Sequence, residues 1–167
     1  YFYEAQTGYT HGLTWPLLYK YWGNQTLYSE AQLLNVSMPK VFRLSEQYLI
    51  RAEAYCQLET PDYAKAGKDI STLMAARYTN GSAALTASNA MEIIEQERIK
   101  ELYMEGFRLQ DLKRWGKGFE RTPQDQSLSN GSSLKISADN PLFVWPIPQH
   151  EIESPGAEIE PNESNNL

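Results

Sequence analysis

Between Val41 and Gly116 the apolar residues recur at steps of three and four, and that rhythm limits what the chain can become. Val41, Leu44, Tyr48, Ala52 and Tyr55 mark the apolar face of a helix from Val41 to about Leu58. Thr60-Pro61-Asp62 ends it: proline cannot continue a helix interior, and a proline just ahead of a new helix is a start signal. Tyr63, Ala66, Ile70, Leu73 and Arg77 then repeat the spacing, so two helices joined by a short turn form an antiparallel pair. Tyr78 to Ser88 is rich in Asn, Gly, Ser, Thr and Ala and reads as a loop. Asn89-Ala90-Met91-Glu92 has capping-box spacing, with Thr86 or Ser88 as alternative caps. The long helix that follows turns Met91, Ile94, Ile99, Leu102 and Tyr103 inward. Gly106 kinks or interrupts it, and a short segment from Leu109 to Trp115 stops at Gly116. The expected fold class is all-α: helical hairpins with long irregular loops.

The flanks differ from this helical part, giving three regions: 1–40, 41–116 and 117–167. Nine of the twenty aromatic residues fall in the first 28 positions, without a period of 2 or 3.6, so no long helix is expected there. Gly8, Gly12, Pro16 and Gly23 divide that region into loops and short turns. After Lys117, repeated prolines forbid long regular structure. Phe143-Val144-Trp145 is the one apolar run there, expected to dock on the helices as a short extended piece, with a polar, frayed end beyond Pro161.

Composition removes several function classes. A chain of 167 residues is the size of one domain, and 41% hydrophobic against 22% charged residues argues against disorder over its whole length. The net charge of -6 and the lack of a Lys/Arg run argue against a nucleic-acid surface. Cys56 stands alone, so neither an internal disulfide nor a Cys-based zinc cluster can form, and a small buried apolar role is expected for it. His11 and His150 lack metal-binding spacing, and no Walker loop, Gly-x-Gly-x-x-Gly or Gly-x-Ser-x-Gly occurs, so no metal or cofactor is expected. No apolar run reaches the ~20 residues that span a bilayer. The chain begins at Tyr1, so missing targeting signals leave its location open.

Two groups of residues could carry chemistry. Glu97, Glu101 and Glu105 are spaced by four and share a helix face, with Arg98, Arg108 and Arg114 interleaved. A glycosidase pair needs carboxylates facing each other across a substrate, roughly 5 to 9.5 Å apart, and neighbours on one helix point the same way. A structural network of Arg–carboxylate forks, fixing how the long helix meets the short one, is therefore expected in place of catalysis. The second group is Trp15, Tyr19, Tyr21 and Trp22, in a loop-like segment. Sugar rings present flat C–H faces that stack on such rings, so these four are the glycan-binding candidates; their alternative is burial in a core. Trp115 and Trp145 are read as structural.

Three runs carry a family resemblance. Phe42-Arg43-Leu44-Ser45-Glu46-Gln47-Tyr48-Leu49 through Ala52-Glu53-Ala54-Tyr55 is similar to the Arg-Leu-Ala-Glu-x-Tyr-Leu…Ala-Glu-Ala helix of the SusD/RagB family, with Ser45 where Ala is common. Glu97-Arg98…Glu101-Leu102…Glu105-Gly106-x-Arg108…Asp111-Leu112-x-Arg114-Trp115-Gly116 resembles that family's second motif almost position for position. Pro146-Ile147-Pro148 with Glu151-Ile152 resembles its closing stretch, while the last dozen residues only echo the family's tail.

The resemblance implies tetratricopeptide-like hairpins and a non-catalytic, lipid-anchored protein on the outer face of a bacterial outer membrane. It implies an oligosaccharide ligand and a SusC-like TonB-dependent transporter as partner, in polysaccharide utilisation. It assigns Arg43, Glu46, Glu53, Glu97, Arg98, Glu101, Glu105, Arg108, Asp111, Arg114 and Trp115 to the structural motif. It also implies that this chain is the C-terminal portion of a longer protein, whose N-terminal half would carry the lipidated Cys. An oligopeptide ligand, or an intracellular tetratricopeptide-like interaction scaffold, are the rival readings.

Overall fold

A computed structural model describes residues 2–3, 17–18, 20, 39–121, 134–156 and 158–166. The chain is mainly helical, an all-α protein with two minimal two-stranded ladders. It divides into two compact units, Tyr1–Leu44 and Ser45–Leu167. In the first, β1 (Phe2–Tyr3) pairs antiparallel with β2 (Leu17–Leu18), Phe2 opposite Leu18 and Tyr3 opposite Leu17.

The second unit contains the helices. α1 is Leu44–Cys56 and α2 is Tyr63–Ala75. Asp62 caps α2, its carboxylate accepting from the Lys65 backbone N–H at 2.9 Å. The turn between them is closed by the Asp62 N–H donating to the Tyr55 carbonyl at 3.0 Å. Across the pair, the Arg51 guanidinium forks onto Asp69 with two bonds of 2.7 Å. Positions equally distant from the turn are joined, as in an antiparallel hairpin.

The face that α1 buries is not the one its apolar spacing suggests. Leu49 and Ala52 are fully buried with Ser45 and Glu53, whereas Val41, Leu44 and Ile50 are exposed. Tyr48 and Tyr55 are half-buried. This orientation presents Glu53 to Arg114 and Trp115, a relation that apolar periodicity does not register. α2 follows its pattern: Ala66, Ile70 and Leu73 are buried.

α3 (Ala90–Glu101) starts after a loop that Ser71 clamps, its hydroxyl bonding both the Ala83 N–H and the Ala83 carbonyl. Asn89 precedes α3 without capping it; its amide instead bonds Thr86 N–H and Ala84 C=O, so the capping box does not form. The helix ends at Glu101, earlier than expected, and Tyr103 points to solvent. Gly106, at φ +85°, makes the turn into α4 (Arg108–Arg114), and Gly116, at φ +61°, terminates α4. Both angles are strained for any residue carrying a Cβ. Leu49, Ala52, Ala66, Ile70, Leu73, Leu85, Ala90, Ile94 and Leu102 make one core from three helices and the loop between α2 and α3.

Beyond α4, β3 (Phe119–Glu120) pairs with β4 (Lys135–Ile136). A 3-10 turn at Pro141–Phe143, the single-turn α5 (Gln149–Ile152) and a 3-10 turn at Glu163–Asn166 complete the unit. Of the apolar run only Phe143 is buried; Val144 and Trp145 face out.

Candidate functional site

The charged residues of the two longest motifs meet where α1, α3 and α4 converge. α3 supplies Arg98, whose Nε and Nη2 donate to the two oxygens of Asp111 on α4 at 2.9 and 3.0 Å. Both side chains are almost wholly out of water, at 5% and 7% exposure. Arg114, one turn on from Asp111, donates its Nε to Asp111 at 2.9 Å and forks its terminal nitrogens onto Glu53 of α1. The Trp115 indole N–H donates to the same Glu53 oxygen at 2.8 Å, and the Arg114 guanidinium lies over its ring at 4.3 Å. The result is a chain of pairs, Arg98–Asp111–Arg114–Glu53, that ties three helices together.

Electrostatics follow from that chain. Burial pushes the Glu53 carboxyl up, but the hydrogen bonds from Arg114 and Trp115 and the charges of Arg114 and Arg98 outweigh it, so Glu53 titrates below the ordinary range. Its bonds to Glu53 hold Arg114 above its usual value, against burial. The pair buried on both sides is Arg98–Asp111, where breaking one partner costs about 3–5 kcal/mol although the intact pair adds little over an apolar replacement; Arg114, 41% exposed, is partly screened by water.

Of the three glutamates spaced by four, Glu97 and Glu101 take partners other than the interleaved arginines. Glu97 accepts from Lys100 at 2.8 Å and from the Tyr78 hydroxyl at 3.2 Å. Glu101 receives the Arg77 fork, two bonds of 2.9 Å, from just beyond α2. Arg108 donates to Glu95 at 3.0 Å, and Lys117 bonds the other Glu95 oxygen. Burial raises the Glu95 carboxyl, and these two cations bring it below its ordinary value. Glu105 lies past the end of α3, half-buried, and Arg43 is half-buried just ahead of α1. Arg51, Asp69, Arg77, Glu95 and Lys117 were missed as pairing residues, since their partners lie 13 to 24 positions away or on another helix. The only signal in sequence was a charge standing inside an otherwise apolar helix face, as Asp69 does.

A cleft of about 460 Å³ opens between α1 and α4. Ile50, Ala54 and Phe107 give it apolar surface, Glu46, Gln57 and Gln110 polar groups, and Glu53, Arg98, Asp111 and Arg114 line it from the ion-pair chain. Its volume is that of a small-molecule site. Among the described residues no group of three or more His, Cys, Asp and Glu side chains could hold a metal ion. The aromatic candidates Trp15, Tyr19, Tyr21 and Trp22 lie outside the described residues.

A family model described as the SusD family matches residues 3–158, all but the first two and last nine positions. The chain belongs to the SusD family. Both helical motifs and the ion-pair chain fall within the matched span of this SusD-family protein. Among curated proteins and among solved structures, none matches the chain significantly. Membership supports a nutrient-binding, outer-membrane-associated role in general terms. Among the described residues no helix is long and apolar enough to cross a membrane.

Proposed function

We propose that this SusD-family chain is a non-catalytic component that binds oligosaccharides at the cell surface and passes them to a SusC-like TonB-dependent transporter. In this reading the protein is anchored to the outer membrane through a lipidated N-terminal Cys carried upstream of Tyr1. The observation that carries the binding reading is the state of the acids in the family motif. Glu97, Glu101 and Asp111 are each engaged by a cation, and Glu53 by two donors, which supports a structural part for these carboxylates over acid–base work. The helices are then scaffold, and Trp15, Tyr19, Tyr21 and Trp22 are the sugar-stacking candidates.

Titration calorimetry of the intact protein against plant, starch-like and host glycans tests the reading, with Trp15→Ala and Trp22→Ala alongside. Binding that disappears in these variants supports a platform in the first 40 residues. Silence toward every glycan, with binding of peptides, replaces the oligosaccharide by an oligopeptide. Turnover of a glycan that stops on changing one carboxylate defeats the non-catalytic reading.

A further inference from the structure

The segment after β4 holds its backbone still and leaves one ring bare. Asn140 caps the 3-10 turn, its side-chain oxygen accepting from the Leu142 N–H at 2.9 Å. Phe143 then buries its ring edge-on against Phe119, centroids 6.3 Å apart. The next residues are bound through their backbone to the C-terminal 3-10 turn. The Ser164 hydroxyl donates to the Val144 carbonyl at 2.6 Å, and the Asn162 amide to the Trp145 carbonyl at 2.9 Å. Asn165 holds Ile147 at both ends, accepting from its N–H at 3.1 Å and donating to its carbonyl at 2.8 Å. Pro146 and Pro148 fix two further backbone angles.

Between these anchors the Trp145 side chain is 82% exposed. Trp115 shows what a structural indole does here: its N–H is bonded and its face is covered. Among the described residues nothing bonds the Trp145 indole N–H. Folding has met the ordering cost of the backbone that carries this ring, which is part of what preorganisation for a ligand requires. Leu142 and Val144 beside it are half-exposed. A stable protein interface needs roughly 800 Å² from each partner, and one ring with two half-exposed aliphatic side chains falls well short. A flat apolar ring with a free N–H donor matches a sugar, which offers a C–H face and hydroxyl acceptors. The chain's net charge of -6 favours a neutral sugar over an acidic one.

We infer that Trp145 is a stacking platform for a pyranose ring of a neutral oligosaccharide, a contact additional to the N-terminal aromatic candidates. The inference rests on the glycan reading and adds a site to it. The test is calorimetry of the intact protein with neutral oligosaccharides, comparing wild type, Trp145→Ala and Trp145→Tyr. The expected result is a Kd weakened on the order of tenfold in Trp145→Ala, equivalent to about 1.4 kcal/mol, and largely restored by Trp145→Tyr. The melting temperature should barely move, because the ring is largely exposed. Acrylamide quenching, read as the difference between wild type and Trp145→Tyr, should be relieved by bound glycan; this holds even if Trp145→Ala fails to fold. Wild-type affinity in Trp145→Ala, or quenching unchanged by ligand, overturns the site and leaves the glycan reading standing. A wild type silent toward all glycans overturns both.

Discussion

α2 and α3 differ by one residue in length and share one core, yet they bury different chemistry. α2 turns Ala66, Ile70 and Leu73 inward, and its buried acid, Asp69, is met by a largely exposed Arg51. α3 buries Ala90 and Ile94 in its first half and Glu97, Arg98 and Glu101 in its second. Apolar burial is non-directional, so α2 needs only volume and shape around it. The second half of α3 needs named partners at fixed angles: Arg77 and Tyr78 on one side, Asp111 on the other. The break after Glu101 and the turn at Gly106 bring α4 back so that Asp111 can reach Arg98. The lesson is that the motif shared with the SusD family acts as a geometric clamp, whereas α2 is ordinary core.

The largest effect should come from cutting the clamp. Arg98→Ala leaves Asp111 buried beside Arg114 alone and should cost about 3–5 kcal/mol. At about 2–4 °C per kcal/mol for a domain of this size, a thermal melt should fall by on the order of 10 °C. Ile70→Ala on α2 should cost about 2–5 kcal/mol through its cavity, so the two helices would be equally sensitive to truncation. The comparison sharpens with a paired replacement. Arg98→Met with Asp111→Leu should recover most of the loss, because an apolar pair of similar volume replaces a buried ion pair at little cost. A double variant as unstable as Arg98→Ala would mean that the clamp contributes more than pairing.

Acid should separate the clamp from the apolar core next. Glu53 and Glu95 have folded values below the ordinary 4.5, so the stability they add is present above that value and is lost as pH falls through their lowered ones. Melts recorded below pH 4.5 should fall less steeply for Glu53→Gln and Glu95→Gln, each starting lower at neutral pH. Acid limbs identical to wild type would remove both carboxylates from the account. The smallest effect is expected at the turn between α3 and α4. Gly106→Ala forces a Cβ into a left-handed angle in open space, a penalty of roughly 1–2 kcal/mol.

Much of the helical frame was legible from sequence, for particular reasons. Pro61 and Asp62 fix the start of α2, and Gly116 the end of α4, because these residues act through their own backbone or their nearest N–H groups. The core face of α2 follows from spacing alone. The rotation of α1 and the exposure of Trp145 were not legible, since each depends on groups distant in sequence; the missing cap at Asn89 was not legible because its side chain bonds Thr86 and Ala84 of the preceding loop. In the clamp, sequence named the charged residues but not their pairs: Glu101 takes Arg77, and Arg114 takes Glu53 from 61 positions away.

By itself, then, the sequence determined helix type, helix order and family, all of which rest on local backbone preferences and on residue identity along one chain. Only the tertiary structure decided which charge meets which and which indole is left bare. A salt bridge or an uncovered ring is a relation between elements, and its free energy depends on distances and desolvation that exist only once the helices have packed.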